Sequence, residues 1–273
     1  MAWHDSAAFA VKPRALADAF YASTSSWKVV VARYAEDLSW LRMFRGEEVE
    51  IINKGAVLPW VGVGWKVAEL MNVGREAHSY LWWIVENYDR LPDVVFFTQG
   101  QVVDCLGPKW TPFSRKGSEI GRLLGDSGSN WLEVMIRYFY YRCKAADSPG
   151  WICDTWSPEG LEANLGTGGR LAEYKGGLEP ADRGMREFFR ELVDVEGVVS
   201  DDEYMRVGRI YWNALFAVRK ERILLRPRSY YERLLNWSSL TAGSSVEAAH
   251  FYERAWYYIF GCHLPLDVKK CDK

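Results

Sequence analysis

The stretch that decides the fold runs from Met71 to Gln101 and reads MNVGREAHSYLWWIVENYDRLPDVVFFTQGQ. Its residues Ala77, Tyr80, Leu81, Ile84, Val85 and Tyr88 recur at three- and four-residue spacing, which predicts one face of a helix that starts near Gly74 and stops before Pro92. Asp93 to Phe97 follows as a short apolar run, the pattern of a strand with both faces covered. The chain leaves that strand through Thr98, Gln99, Gly100 and Gln101, small or amide residues suited to touching a polar ligand. A glycine turn, a helix and a buried strand ending in a polar tip is the layout of a ligand site at the carboxyl end of a sheet strand.

The segments before it repeat the layout. Lys28 to Arg33 (KVVVAR) is a β-branched run that ends in Tyr34, Glu36 and Asp37, after which Leu38, Trp40 and Leu41 read as the first turns of a helix. Glu48 to Ile52 is a second strand, ending in Asn53, Lys54 and Gly55. Three strands with polar tips, separated by helical stretches, predict an α/β fold with a mainly parallel sheet flanked by helices, its strand ends sharing one edge.

These residues resemble a family. The runs VVVARYAEDLSWL, IINKG and NVGREAHSYLWWIVENYDRLPDVVFFTQG, with the later ALFAVRKERILLRPRSYYERLL and HFYERAWYYIFG, resemble an uncharacterised domain family found in fungi, bacteria and some large viruses. More distantly, the Asn-x-Gly-Arg-acid step followed by a helix and an apolar strand is similar to glycosyltransferases of the GT-A fold, the rhamnan-synthesis type among them. The resemblance implies a GT-A-like (Rossmann-like) single domain over 28–261, with residues 1–27 as an extension and 262–273 as a tail. It implies transfer of a sugar from a nucleotide-sugar donor to a glycan hydroxyl, with inversion. Such enzymes commonly use Mn2+ or Mg2+ held by Asp-x-Asp after the third strand. Here Thr98-Gln99-Gly100-Gln101 stands in that place, so an inactive carbohydrate- or nucleotide-binding protein of the same fold is the alternative.

Composition narrows the classes. A net charge of -2 argues against a nucleic-acid partner, which calls for a dense basic surface. Counts of 14 Trp, 15 Tyr and 12 Phe suit a carbohydrate enzyme, since aromatic rings stack on sugars, although core packing accounts for most single rings. The five cysteines, Cys105, Cys143, Cys153, Cys262 and Cys271, contain no Cys-x-x-Cys pair and leave one over, which favours a reduced compartment. Residues 1–27 carry Asp5, Lys12, Arg14 and Asp18 among short apolar groups, so neither a signal-peptide core nor a membrane span is expected there and the expected location is the cytoplasm. A methyltransferase is disfavoured because no Gly-x-Gly-x-x-Gly follows the first strand. From Gly160 to Gly177 the chain is rich in glycine, and Gly166, Gly168 and Gly169 read as a plain loop or a lid over the donor rather than a phosphate loop.

Sugar transfer leaves a diphosphate whose charge grows as the bond breaks, so cations and amide donors are needed near the strand tips. Tyr34, Asp37, Asn53, Lys54, Arg75, Gln99 and Gln101 are the candidate donor-binding residues. Arg75 opens a helix, where free N–H groups favour an anion; the plainer alternative is that Arg75 and Glu76 cap and pair on a solvated helix end. Asp104 is the first carboxylate beyond the tip and the candidate metal ligand. The acceptor hydroxyl needs a base. Ser244-Ser245-Val246-Glu247 reads as a capping box opening the last helix, whose apolar stripe is Ala248, Phe251, Tyr252, Ala255, Trp256 and Ile259. His250 and Glu253 fall off that stripe and share a neighbouring face. Glu253 is the candidate base with His250 orienting it, against an ordinary surface Glu; Asp154, between Trp151 and Trp156, is the second candidate.

Overall fold

The computed structural model of the chain describes residues 26–39, 41, 46–100, 150–151, 157–158, 160–162, 165, 181–207, 209–210, 214–240 and 245–264. Gln101, Asp104 and Asp154, and the glycines at 166, 168 and 169, lie outside the described residues.

The strands are β1 (Trp27–Arg33), β2 (Val49–Asn53), β3 (Lys66–Glu69), β4 (Val94–Gln99), β5 (Gly150–Trp151), β6 (Ser157–Pro158), β7 (Arg209–Ile210) and β8 (Phe216–Arg219). The helices are α1 (Arg75–Asn87), α2 (Met185–Phe188, continued as a π turn Phe189–Val193), α3 (Lys220–Ile223), α4 (Arg228–Ser239) and α5 (Val246–Ile259). One mixed sheet has the order β3-β2-β1-β4-β8-β5, and β6 pairs with β7 apart from it. The three strands read from the sequence are neighbours: β1 lies parallel to β2, with Val31 beside Ile51, and parallel to β4, with Val30 beside Phe97. The fold is therefore mixed α/β with a mostly parallel sheet. It departs from a uniformly parallel one at β8, which runs antiparallel to β4 with Val95 beside Val218.

Both faces of this sheet are apolar, which is why its strands read as unbroken runs rather than alternations. Val29, Val31, Val49, Ile51, Val94 and Phe96 point to one side, where Leu38 and Leu41 cover them. Val30, Ala32, Ile52, Val95, Phe97, Phe216 and Val218 point to the other and meet α1, α4 and α5. The second core is largely aromatic: the rings of Tyr80 and Phe97 lie 4.8 Å apart, Phe97 and Phe216 5.6 Å, and Phe216 and Trp256 5.4 Å. Trp83 is buried on α1 and donates its indole N–H to the Glu50 carboxylate of β2 at 2.6 Å, which fixes α1 over the sheet. Many of the aromatic residues thus serve the core.

The last helix starts one residue later than its sequence suggests. Ser245, not Ser244, is the N-cap, its hydroxyl accepting from the Ala248 N–H at 3.1 Å. Glu247 is displaced from the reciprocal capping position. It is buried and accepts instead from the backbone N–H of Ala181 at 2.9 Å, tying α5 to the segment before α2.

Candidate functional site

Along the chain, β1, β2 and β3 step outward to one side of the sheet, and β4 then returns to the opposite side of β1. The crevice beyond the carboxyl ends of β1 and β4 is therefore a topological switch point, the place where open α/β sheets take ligands. Tyr34 and Asp37 are exposed at that edge, and Gln99, the last residue of β4, is half-buried beside Ala32. The Glu36 carboxylate folds back on this tip, accepting from the N–H groups of Tyr34 at 2.7 Å and Ala35 at 3.0 Å. A Cβ at Gly100 would lie 2.8 Å from that carboxylate, so a side chain there would have to push the Glu36 side chain aside.

At the neighbouring tips the polar groups largely satisfy one another. Arg33, buried at the end of β1, donates to the Asn53 side-chain oxygen at 2.6 Å and to the Glu36 carbonyl at 3.0 Å. Asn53 in turn donates to the Glu69 carboxylate at 2.8 Å and to the Ala56 carbonyl at 3.2 Å. Asn53 is 1% exposed, and the geometry makes it a strut between β1, β2 and β3.

Lys54 is also turned inward. Its ammonium donates to the carbonyls of Val73 at 2.6 Å and Arg75 at 2.7 Å. The turn it holds is unusual: Gly74 and Arg75 are both left-handed, with φ of 59° and 46°. Glycine adopts this conformation freely, but for arginine it costs roughly 1–2 kcal/mol. Gly74 is needed for space as well, since a Cβ there would lie 2.6 Å from the Ser238 carbonyl of α4. The turn leaves the Arg75 side chain exposed at the start of α1. Burial pushes the Lys54 amine down to about 7, with Glu76 pulling part of the way back. His78, one turn into α1, is pushed down to about 4 by burial and by the Lys54 charge, and its Nδ1 has no hydrogen-bond partner.

The α5 candidates come to the same corner. Glu253 and His250 are half-buried on a helix whose other faces are packed. Burial raises the Glu253 pKa, His250 and Arg254 draw it back, and repulsion from Glu76 raises it further. Glu76 thus bridges the two sets electrostatically, attracting Lys54 and repelling Glu253. His250 donates through Nδ1 to the Val246 carbonyl at 2.8 Å. Arg254 donates back to the His250 carbonyl at 3.2 Å.

The structure therefore gathers Lys54, Arg75, His250 and Glu253, far apart in the chain, around the first turn of α1. Tyr34, Asp37 and Gln99 line the adjacent β1–β4 crevice. Sequence reading treated Glu76 only as a helix-end charge and passed over His78; the one signal was their i, i+2 placement after a glycine turn. Among the described residues no group of three or more His, Cys, Asp or Glu side chains is placed to hold a metal ion, and Glu36, Asp37 and Glu69 at the tips accept hydrogen bonds from within the chain. Among the described residues no helix is long and apolar enough to cross a membrane. Cys262 is disulfide-bonded, which corrects the expectation of reduced cysteines and removes that support for a cytoplasmic location.

The chain belongs to a family described as protein of unknown function (DUF3431), whose model matches residues 29–272. No curated protein and no solved structure matches it.

Proposed function

We propose that the protein is a glycosyltransferase that moves a sugar from a nucleotide-sugar donor to a glycan hydroxyl with inversion. The observation that carries this is the placement of a raised-pKa carboxylate, Glu253, within electrostatic reach of Glu76 in the first turn of α1, the helix that the exposed Arg75 opens next to a parallel-strand switch point. In this mechanism the donor diphosphate lies against Arg75 and the free N–H groups of the first turn of α1, where positive charge and the helix dipole favour an anion. Glu253, its basicity increased by burial and by Glu76, accepts the proton of the acceptor hydroxyl. The hydroxyl oxygen bonds to the anomeric carbon while the bond from that carbon to the diphosphate breaks, and the nucleoside diphosphate leaves with the electron pair. Lys54 acts from behind, holding the turn that presents Arg75.

A second reading, a sugar- or nucleotide-binding protein without turnover, is favoured by Thr98-Gln99-Gly100 at the position of the usual acidic motif. Incubation with UDP-, GDP- and dTDP-sugars and a panel of glycan acceptors separates the two. Acceptor-dependent release of nucleoside diphosphate, lost in Glu253→Gln, supports transfer. Saturable binding with no release from any donor supports the binding protein.

A further inference from the structure

The corner opposite the strand tips holds hydrogen-bonding capacity that the fold leaves unspent. Because β8 runs antiparallel to β4, it ends beside the start of that strand, where the Lys220 N–H donates to the Asp93 carbonyl at 3.0 Å. From there α3 leads to Arg226, just ahead of α4. Arg226 is 4% exposed. Its guanidinium packs over the Tyr230 ring, 5.0 Å from the centroid, and its Nη1 donates to the Glu196 carboxylate at 2.6 Å. Its Nε and Nη2 are buried with no partner.

That unpartnered pair has a specific shape. Nε–H and Nη2–H project in parallel from one side of the guanidinium, the fork that grips two oxygens of a carboxylate or phosphate at once. A second orphan lies in the same corner. Both ring nitrogens of His263 are buried without partners, and the ring sits 5.1 Å from that of Tyr258. Burial and the Arg226 charge push the imidazole down to about 4, so it is neutral near pH 7 and offers one N–H donor. The other charged groups around it are spent. Arg222 donates to the carbonyls of Gly261 at 2.8 Å and Leu264 at 3.0 Å. Asp194 accepts from Arg190 at 2.5 Å and from the Val198 N–H at 3.0 Å.

Buried donors without acceptors are costly, and native proteins fill such places with water or a ligand. We propose that Arg226 and His263 form a binding site for a small oxyanion, the two oxygens of a phosphate or carboxylate taking the guanidinium fork. A water molecule brings one oxygen to both N–H groups, whereas an oxyanion brings one to each and adds charge. The site is separate from the strand-tip corner, since α5 alone carries the chain about 9 Å from Glu253 to its end. The inference stands without the glycosyltransferase reading, because it concerns different residues at the other edge of the sheet.

The test is thermal unfolding of the full chain in inorganic phosphate, sulfate or acetate against sodium chloride of equal ionic strength, with calorimetric titration of phosphate. The Tm of the parent rises with the logarithm of oxyanion concentration. The part of the rise that survives in Arg75→Ala is lost in the double variant Arg75→Ala, Arg226→Gln, which separates the site from an anion at α1. A response to phosphate and sulfate identifies a tetrahedral ligand, and a response to acetate alone a carboxylate. If Arg226→Gln does not fold, His263→Gln serves, with the phosphate midpoint weakened at least about threefold. No rise over chloride in the parent, or an unchanged midpoint in His263→Gln, overturns the proposal and leaves the fork holding water.

Discussion

The Lys54 ammonium donates to the carbonyl of Arg75 at 2.7 Å, gripping from inside the residue whose side chain the same turn sends outward. The two cations therefore have different work, although both stand at a strand tip or helix start in the sequence. Lys54 stabilises a strained left-handed pair, and Arg75 is left to meet an anion.

That division makes the two variants separable. Lys54→Met leaves the Val73 and Arg75 carbonyls without their buried donor, and each such loss costs about 1–3 kcal/mol. Urea unfolding is expected to show this loss together with weaker binding of nucleotide sugar. Arg75→Ala removes an exposed side chain, so its stability stays within about 0.5 kcal/mol of the parent while nucleotide binding weakens. Parental stability in Lys54→Met would show that the turn holds itself.

The turn also sets a demand on Gly74. Its φ of 59° disfavours any side chain, and the new Cβ would press on the Ser238 carbonyl at 2.6 Å. Gly74→Ala should therefore lose at least about 1 kcal/mol to the backbone alone, with the clash adding to it. The midpoint of denaturant unfolding measures it. A variant as stable as the parent contradicts the packing of α1 against α4.

How much of this was legible in the sequence follows from how local each signal is. The bodies of β1, β2 and β4 and the helix α1 announce themselves through runs and spacing within a dozen residues, and their observed bounds differ from those read by one or two residues. β8 escaped because Phe216–Arg219 is only four residues long and merges with α3 at Lys220, so no alternation or turn marks it. Lys54 was legible as a cation at a tip, but the direction of its side chain depends on where the Val73 and Arg75 carbonyls lie, a non-local fact. The bonding of Asn53 was hidden for the same reason: its partner Glu69 sits on β3, a strand the sequence did not declare. Glu253 stands out in the sequence because α5 is apolar on its other faces, which makes an acid off the stripe conspicuous by periodicity, and the structure leaves it half-buried.

Buried histidines give the stability a definite acid limb. His78 and His263 fall to about 4 in the folded chain from an ordinary 6.5. Between those values the unfolded chain binds protons that the folded one does not, so stability is lost as pH drops from about 6.5 toward 4. The raised carboxyl of Glu253 works the other way, since the folded state binds its proton more readily. Unfolding free energy measured across this window should fall with falling pH, and His78→Gln should remove about one proton from the slope. An unchanged slope in that variant means the His78 ring titrates normally.

The proposed chemistry is tested most sharply through the pair Glu253 and Glu76. Glu253→Gln keeps size and removes the proton acceptor, so turnover with a productive donor and acceptor should fall by about a hundredfold or more while donor affinity is retained. Glu76→Gln does not touch the acceptor proton, but it removes the like charge that helps raise the Glu253 pKa. The sign follows directly: with the repulsion gone, Glu253 ionises at lower pH, and the acid limb of the kcat profile moves to lower pH. Loss of a negative neighbour also lowers the amine pKa of Lys54, which Glu76 currently raises, so the folded chain gives up the Lys54 proton at a lower pH in the same variant. A kcat profile that stays in place in Glu76→Gln, with Glu253→Gln still inactive, would separate the two carboxylates and leave Glu253 acting without help from Glu76. Near-parental turnover in Glu253→Gln would remove it from the role of base altogether.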